Sequence, residues 1–348
     1  MTTTANLSNP KTSIVILNWN GKSWLEKFLP SVTRYSLTEN TEVVVADNAS
    51  SDDSILFLKE NYQNVRLICF GQNYGFAEGY NKVMEEVEAE YIVLLNSDVE
   101  VTPGWLTPLT NYLDNHPETA AVQPKILAQL NKEYFEYAGA AGGFIDSYGY
   151  PYCRGRILGT TEKDKGQYDT PMPIFWATGA CLMIRTKIYK EVGGLDRSFF
   201  AHMEEIDLCW RINARGYKIA CVPQSKVYHV GGGTLSQESP RKTFLNFRNN
   251  LLMIYKNMPQ ERLSRVMTTR LFLDYLSAIQ FLLKGKAGNA KAVLQARHEF
   301  SRIKGQYTYL REKNMSLSKQ EVKIPYPFKG LILIPYYIKG KKHFSQLS

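Results

Sequence analysis

The first candidate site is an Asn and an Asp that directly follow an apolar segment. Residues 91–95 read Tyr-Ile-Val-Leu-Leu and predict a buried strand, and Asn96 and Asp98 come immediately after it. Open α/β sheets bind ligands beyond the carboxyl ends of their strands. A carboxylate oxygen there suits a divalent cation that holds a diphosphate. Asp98 is therefore the first candidate metal ligand.

A second acidic cluster begins a predicted helix at residues 205–214. Glu204, Glu205 and Asp207 lie around its first turn. Such carboxylates can simply complement the helix dipole. Among apolar neighbours, burial and like charge would instead raise a carboxyl pKa and produce a general base. The residues alone leave both interpretations open.

Polar residues also follow the second and third predicted strands, and a histidine precedes a glycine run. Asp47 is either a helix cap or a hydrogen-bond acceptor for a ribose or base. Gly75 permits close approach of the backbone, and the helix that follows favours anions at its N-terminus. His229 is either a structural residue or a ligand for a metal or phosphate.

Alternating strands and helices must position these residues. Short apolar segments predict strands at 13–17, 42–46, 65–70 and 91–95, and helical periodicity separates them at 24–35, 54–61 and 76–87. This order predicts an α/β fold with a mostly parallel sheet, covered on both faces. The polar ends of the strands then gather at one edge of the sheet.

The elements that follow are less regular. Thr102 and Pro103 predict the cap and first residue of a helix that continues through 106–113. Residues 120–175 are expected to form irregular strands and loops, with a mobile surface loop at 150–173. A strand is predicted at 175–184 and short helices at 186–192 and 205–214.

Several common nucleotide and hydrolase motifs are missing. No G-x-G-x-x-G follows the first strand, and the chain contains neither G-x-x-x-x-G-K-[ST] nor G-x-S-x-G. These absences count against NAD enzymes, P-loop NTPases and α/β-hydrolases. A nucleotidyltransferase would want a basic glycine-rich loop near the N-terminus. A non-catalytic carbohydrate-binding protein stays open.

The order of the motifs resembles the family 2 glycosyltransferases, inverting enzymes of the GT-A fold. Within that family it is similar to the rhamnosyl- and galactofuranosyltransferases. The resemblance covers about residues 12–235. The matching segments are residues 15–20, 45–50, 73–77, 94–98, 178–185, 193–196 and 204–211, together with His229.

The resemblance implies a nucleotide-sugar site that takes a dTDP- or UDP-sugar. Asp98 and His229 would bind Mg²⁺ or Mn²⁺, and Asn96 replaces the first acid of the family's D-x-D motif. The implied donor contacts are Asn18, Asn20, Asp47, Asn48, Asn73, Gly75, Phe76 and Asn96.

The same resemblance implies the acceptor side. Glu205 takes the place of the family's catalytic Asp and would be the base. Glu204 and Asp207 would support it, the latter paired with Arg211 unless that pair is only a helix-surface ion pair. The segment containing Trp176, Thr178 and Gly179 would shape the acceptor side, with the indole as a platform for a sugar.

The implied activity is inverting transfer of rhamnose or another hexose to a hydroxyl of a saccharide or lipid-linked glycan, in cell-surface polysaccharide synthesis. A polyprenyl-phosphate sugar synthase shares the donor half, but it would normally have a shorter chain or true spanning helices.

Charge and composition suggest three regions and a cellular location. A flexible N-terminus (1–11), a GT-A domain (12–238) and a basic helical region (239–348) are expected. Lys and Arg outnumber Asp and Glu by 42 to 33. Residues 270–284 predict a helix with a wide apolar face, which either packs on the catalytic domain or lies in a membrane interface. The lysines near it favour an anionic membrane surface over nucleic acid.

The cysteines and the N-terminus indicate a reducing compartment. The five cysteines are widely spaced without a C-x-x-C pair, so all are expected to be buried thiols. The chain shows neither a secretory signal nor an apolar run of about 18 residues, the length that a spanning helix needs. We therefore expect the protein in the cytoplasm, either free or peripheral on the inner face of the membrane.

Overall fold

The computed structural model describes residues 10–231, 239–319, 328 and 330–347. They form a nine-stranded mixed sheet, a smaller four-stranded sheet and a set of C-terminal helices. The strands are β1 (Thr12–Asn18), β2 (Thr41–Asp47), β3 (Arg66–Cys69), β4 (Tyr91–Leu95), β5 (Val99–Val101), β6 (Thr119–Ala128), β7 (Gly143–Ile145), β8 (Pro151–Cys153), β9 (Arg156–Ile157), β10 (Thr160–Thr161), β11 (Met172–Pro173), β12 (Cys181–Arg185) and β13 (Lys218–His229). The α-helices are α1 (Lys22–Ser36), α2 (Ser54–Asn61), α3 (Gly75–Glu86), α4 (Leu106–Asn115), α5 (Thr186–Glu191), α6 (Glu204–Ala214), α7 (Pro240–Asn257), α8 (Gln260–Leu283), α9 (Ala287–Ile303) and α10 (Thr308–Ser316).

The predicted α/β fold is confirmed. The large sheet has the order β11-β13-β6-β12-β4-β1-β2-β3, with β5 paired to β13. Strand β1 pairs in parallel with β2 and β4, and β2 pairs in parallel with β3. The carboxyl ends of these four strands therefore meet at one edge. All five residues of β4 are buried, as its continuous hydrophobicity predicts.

The central part of the chain is more regular than its sequence predicts. Strand β6 is ten residues long, pairs in parallel with β13, and is buried except at its last residue. Gln123 and Lys125 interrupt its apolar pattern, so the sequence does not predict a continuous strand here. Buried Lys125 forms ion pairs with Asp164, at 2.8 Å, and with Asp169.

The prediction of a mobile surface loop at 150–173 is wrong. This segment contributes β8, β9 and β10 to the small sheet and β11 to the large one. Arg154 and Arg156 are both buried, and Nε of Arg154 donates to the carbonyl of Ala141 at 3.0 Å. The high content of polar and turn residues led to the wrong prediction, because two of the charged side chains are buried inside the fold.

Smaller predictions also need correction. Thr102 does not cap a helix, because α4 begins at Leu106 and the Thr102 hydroxyl instead donates to the carbonyl of Lys226 at 2.7 Å. In the segment predicted as a strand at 175–184, only β12 is extended. Four of the five cysteines are buried as expected, but Cys69 is exposed because β3 is an edge strand.

The C-terminal helices pack on the catalytic fold. Residues 251–254 of α7 belong to the same buried cluster as residues of β1, β2 and β4. The boundary near residue 238 stays a prediction, but α7 shares the core of the sheet. Among the described residues, one helix, α8, is long and apolar enough to cross a membrane by length and composition. The sequence predicts no such helix, since no uninterrupted apolar run reaches about 18 residues. The helix qualifies because an 18-residue window of it is apolar on average despite a few charged residues.

Candidate active site

The ends of β1 and β2 hold a buried amide and carboxylate against each other. Asn18 Nδ2 donates to Asp47 Oδ2 at 2.9 Å, and both side chains are fully buried. Asp47 Oδ1 accepts from the backbone N–H of Ser50 at 2.8 Å. Asn18 Oδ1 is buried without a hydrogen-bond partner in the chain. A buried acceptor without a donor is unusual, so this edge of the sheet is suited to a polar ligand.

Asn20 organises the loop beside this pair. It adopts a left-handed backbone conformation (φ 50°) and is exposed. Its side-chain oxygen accepts from the N–H groups of Ser51, at 2.7 Å, and Asp52, at 3.3 Å. Its predicted role as a donor contact remains a prediction, since the side chain already holds the loop after β2.

Asn48 joins the loop after β2 to the loop after β3. Its Oδ1 accepts from the N–H of Tyr74 at 2.9 Å, and its Nδ2 donates to Asn73 Oδ1 at 3.0 Å and to the carbonyl of Gly75 at 3.1 Å. Gly75 has φ 76°, and a Cβ there would lie 2.8 Å from the ring of Phe200. The N–H of Phe76 also donates to the carbonyl of Phe200 at 3.0 Å. The segment with the predicted donor contacts Asn73, Gly75 and Phe76, here called the donor loop, therefore packs directly on the loop that precedes α6.

Asp98 and His229 meet at the end of β4, as predicted for a shared cation. Asp98 Oδ1 lies 3.1 Å from His229 Nε2, and both side chains are almost fully buried. Asn96 Nδ2 lies 3.4 Å from the same imidazole nitrogen. Adjacent ligands in the octahedral shell of a small divalent cation are about 3 Å apart, so the oxygen and nitrogen fit such an ion.

The rest of the coordination shell must come from elsewhere. Among the residues that the structure describes, no group of three or more Asp, Glu, His or Cys side chains is arranged to hold a metal ion. Divalent cations in phosphate-transferring sites commonly take one or two protein ligands and complete their shell with phosphate and water. The pair is therefore consistent with a cation that binds together with a diphosphate.

Sequence analysis missed Glu136, which lies behind the histidine. Its Oε2 is 3.4 Å from His229 Nδ1, and the same oxygen accepts from the N–H of Ala138 at 2.5 Å. Burial lowers the pKa of His229, but the carboxylates of Glu136 and Asp98 outweigh it and raise that pKa to about 10. The imidazole is therefore protonated without a cation, and binding of a cation at Nε2 would displace a proton. No motif marks Glu136 in the sequence. Its position is typical of a carboxylate that orients a metal-binding histidine.

Glu204 and Glu205 begin α6 inside the protein. Glu204 is buried and Glu205 is partly buried, and in each residue Oε2 is enclosed without a hydrogen-bond partner. Burial raises the pKa of Glu205 to about 7. Burial, followed by the charge of Glu205, raises the pKa of Glu204 well above its usual value. Glu205 therefore has the pKa expected of a general base near neutral pH.

The turn at residues 178–180 connects the acidic pair to the predicted metal site. A Cβ at Gly179 would lie 3.2 Å from the ring of Phe76 and 3.9 Å from Cβ of Glu205. The next residue, Ala180, accepts from the N–H of Asn96 at 3.0 Å. Thr178 is buried, and its N–H donates to Gln123 at 3.1 Å. One short turn therefore contacts both the candidate base and the Asn96 segment.

Trp176 is not the exposed platform that the sequence suggested. Only 2% of its surface is accessible, and its Nε1 donates to the carbonyl of Phe144 at 2.9 Å. Its ring lies where a Cβ at Gly143 would be. Two other aromatic residues in the loops near the site are exposed: Trp19 is 50% accessible and Phe200 is 40% accessible.

Asp207 forms a buried ionic network instead of a surface ion pair. It is fully buried and bound by Arg211 and Lys256, each at 3.0 Å, and by Asn257 at 2.7 Å. Lys256 also binds Asp196 at 2.5 Å. The two carboxylates and two cations balance, as buried charges require. The network fixes α6 to α7.

Asn249 of α7 fixes the loop in front of the acidic pair. Its Nδ2 lies within hydrogen-bond distance of the carbonyls of Phe199 (3.0 Å), Ala201 (2.9 Å) and His202 (2.8 Å). Phe200, His202 and Met203 in this loop all have positive φ, between 63° and 74°. Conformations of this kind persist only where the surroundings impose them. Asn249 provides part of that constraint.

The fold and the site together define a nucleotide-sugar transferase of the GT-A type. The model for glycosyl transferase family 2 matches residues 13–193, just over half of the chain. The protein therefore belongs to glycosyl transferase family 2 and is a glycosyltransferase.

Two relatives and one solved structure illustrate the family. N-acetylglucosaminyl-diphospho-decaprenol L-rhamnosyltransferase from Mycobacterium tuberculosis is 24% identical over 230 residues, covering 62% of this chain and 75% of the relative. The dTDP-rhamnosyl transferase RfbF from Shigella flexneri is 25% identical over 236 residues, covering 63% and 72%. GalNAc-T7, solved with UDP, GalNAc and Mn²⁺, superposes with a TM-score of 0.57 at 18% identity. That likeness covers 72% of this chain and 48% of the neighbour, and it shows the fold alone.

Proposed function

We propose that the protein is an inverting transferase that moves rhamnose, or another hexose, from a dTDP- or UDP-sugar to a hydroxyl of a saccharide or lipid-linked glycan. The observation that carries this proposal is the turn at 178–180. Ala180 accepts from the N–H of Asn96, and Gly179 lies against Glu205. The turn therefore links the residues suited to a leaving diphosphate to a carboxylate suited to deprotonate an acceptor.

Each buried pair would have its own role in the proposed reaction. Asn18 and Asp47 would hold the nucleoside, and the loop braced by Asn48 would close over the donor. Asp98 and His229 would hold the divalent cation, which when bound neutralises the diphosphate as it leaves. Glu136 would keep the imidazole of His229 oriented.

Glu205 would carry out the proton transfer. Its carboxylate accepts the proton of the acceptor hydroxyl while that oxygen attacks the anomeric carbon of the sugar. The bond from that carbon to the diphosphate oxygen breaks on the opposite face, and the nucleoside diphosphate keeps the electron pair. The anomeric configuration is therefore inverted. A pKa of about 7 leaves a substantial ionised fraction at neutral pH.

A hydroxyl acceptor suits this site better than a phosphate acceptor. A polyprenyl phosphate is already anionic and needs no general base, whereas the partly buried Glu205 has its pKa raised to about 7, as suits a base. Both relatives described above are rhamnosyltransferases, and RfbF is a dTDP-rhamnosyl transferase, so dTDP-rhamnose is the first donor to test. The decaprenol-linked acceptor of the Mycobacterium tuberculosis relative favours a lipid-linked glycan. Work on such an acceptor would place the enzyme in the cytoplasm, at the inner face of the membrane.

A donor and acceptor screen tests the proposal. Purified protein is incubated with dTDP-rhamnose or UDP-hexoses, a soluble glycan acceptor and Mn²⁺, and release of nucleoside diphosphate and the anomeric configuration of the product are measured. We expect transfer with inversion, which EDTA abolishes. Glu205→Gln and Asp98→Asn should each lose at least 100-fold in kcat, the usual scale for a general base or metal ligand. The exposed Glu85→Gln is the matched control. Retained configuration or full activity of Glu205→Gln would refute the proposed mechanism.

A further inference from the structure

Over residues 270–283, the polarity of α8 is inverted relative to an ordinary amphipathic helix of a globular protein. The first half of the helix buries Leu263 and Val266 in the ordinary way. The side chains facing the protein include Arg270 and Asp274, which are 2% and 0% exposed. The opposite face carries Phe272, Leu276 and Leu283, which are 64%, 60% and 84% exposed. A surface helix normally buries its apolar stripe and exposes its charges. An inverted helix therefore indicates an apolar environment outside the protein.

The inward polar residues form ion pairs and hydrogen bonds that specify this orientation of α8, although Arg270 Nε and Asp274 Oδ1 have no hydrogen-bond partner. Asp274 accepts from Arg297 of α9 at 2.6 Å and lies 3.5 Å from Arg270. Arg270 also donates to Asn250 of α7 and, at 3.2 Å, to the carbonyl of Tyr148. Turning the apolar face inward would separate Asp274 from Arg297 and Arg270 from Asn250, which would leave buried polar groups without partners.

The exposed apolar surface extends beyond α8. Tyr275, Ile279 and Leu282 belong to the same outward face, and each is about half exposed. Tyr337, in the short helix at 334–338, lies beside the Gln280 side chain of α8. This contact places a second exposed pair, Tyr337 and Ile338, beside the helix. We call this combined surface of α8 and residues 334–338 the apolar platform.

Positive charge surrounds the apolar platform. The stretch from Lys284 to His298 contains four Lys or Arg residues and no Asp or Glu, and the last 21 residues of the chain also contain no acid. Lys284 and Lys291 are exposed beyond the end of α8, and Lys339 is exposed directly after Ile338. Apolar side chains flanked by lysines match the acyl and headgroup layers of an anionic membrane.

We propose that the apolar platform docks the enzyme in the plane of an anionic lipid bilayer. A second copy of the chain is a poorer occupant, because a two-fold interface would bring the same basic rims together. A membrane-spanning α8 is also disfavoured, since a buried hydrogen bond to Asn250 ties it to α7 and a buried ion pair with Arg297 ties it to α9. The helix would instead lie at the interface, with Phe272, Leu276 and Ile279 inserted.

Vesicle co-sedimentation of the full chain tests the docking proposal. Vesicles of phosphatidylcholine with about one third phosphatidylglycerol are compared with phosphatidylcholine alone, at low and high salt. We expect binding that requires the anionic lipid and weakens with salt. Replacing Lys284 and Lys339 with Gln should weaken it about five-fold per lysine, because each contributes about 1 kcal/mol near such a surface.

The apolar half of the proposal is tested by a triple variant, Phe272→Ser, Leu276→Ser and Ile279→Ser. It should lose vesicle binding at least ten-fold and keep its melting temperature and its turnover of a soluble acceptor. Leu56→Ser and Leu130→Ser, at exposed leucines outside the platform, are matched controls and should bind as the wild type does. Equal binding to neutral vesicles, wild-type binding by the triple variant, or conversion of a dimer to a monomer by that variant would overturn the proposal. None of these outcomes depends on which sugar the enzyme transfers, so the docking and the proposed activity fail separately.

Discussion

The side-chain amide of Asn249 lies 2.8 Å from the carbonyl oxygen of His202, two residues before Glu204. This contact reaches from a C-terminal helix to the loop that leads into the candidate base. The same loop packs through Phe200 on Gly75 and Phe76 of the predicted donor loop. The C-terminal region therefore contacts the loop that lies between the candidate base and the predicted donor contacts.

Asn249→Ala should impair catalysis more than donor binding. The change leaves carbonyls of the loop without their donor and relaxes a segment with three positive φ angles, at a cost of about 1–3 kcal/mol. We expect kcat to fall at least ten-fold with a small change in the donor KM. Steady-state kinetics and thermal unfolding measure the two effects. Asn289→Ala, at another buried amide in the C-terminal helices, is the control. An equal kcat in the two variants would show that Asn249 acts only through stability.

The rate of transfer should rise as the pH passes through about 7. Burial raises the pKa of Glu205 to about that value, and only the ionised carboxylate can accept a proton. Glu204, Asp207 and Cys209 share its helix, and Cys153 faces it from β8. Burial raises the pKa of Glu205, and the backbone N–H groups at the start of α6 partly offset that rise. The pH profile of kcat/KM for the acceptor measures this ionisation of Glu205. A profile that is flat between about pH 5 and 8 would contradict the prediction.

The same carboxylate should make stability depend on pH with the opposite sign. The folded protein holds this proton more tightly than the unfolded chain does, because the folded-state pKa is the higher one. Stability is then highest below the unfolded pKa of about 4.5 and falls as the pH rises toward 7. Glu205→Gln removes this loss. The variant should therefore be inactive and yet melt higher than the wild type at about pH 8, with a smaller difference at about pH 5. Lower melting temperatures at both pH values would contradict this account.

Glu136→Gln should weaken binding of the cation. A neutral amide orients the imidazole of His229 less strongly than a carboxylate does, and losses of this kind are typically about 10–100-fold in metal affinity. Mn²⁺ binding is measured directly by titration in the presence of a nucleoside diphosphate. Glu133→Gln, at an exposed carboxylate three residues away, is the control and should bind as the wild type does. If both variants bind Mn²⁺ equally, Glu136 has no part in the metal site.

Local sequence patterns predicted the half of the sheet that is built from consecutive elements. Strands β1, β2 and β4 are apolar runs that end in polar residues, so both their positions and their common edge followed from the chain. Strand β6 did not, because Lys125 becomes acceptable inside the fold only through partners about 40 residues away.

The site was predictable to the same extent. Asp98 and Glu205 lie in recognisable motifs, whereas Glu136 and Asn249 reach His229 and the loop before α6 through contacts that form only on folding. Trp176 shows the reverse error, since an aromatic residue beside a site motif turned out to fill the core. Residue type and spacing therefore indicate candidate groups with chemistry of their own, but they do not indicate the buried residues that contact those groups.

Gly75→Ala should disturb the donor loop specifically. A Cβ at this position would lie 2.8 Å from the ring of Phe200. The alanine would also have to adopt φ 76°, which L-residues rarely do. We expect destabilisation of about 1–3 kcal/mol and an increase in the donor KM, because the shift of Phe76 and Phe200 moves the loop that Asn48 braces. Gly71→Ala is a matched control at the start of the same loop, where a Cβ meets nothing within 4 Å. Thermal unfolding and donor titration compare the two variants. A wild-type donor KM in Gly75→Ala would mean that this loop does not contact the donor.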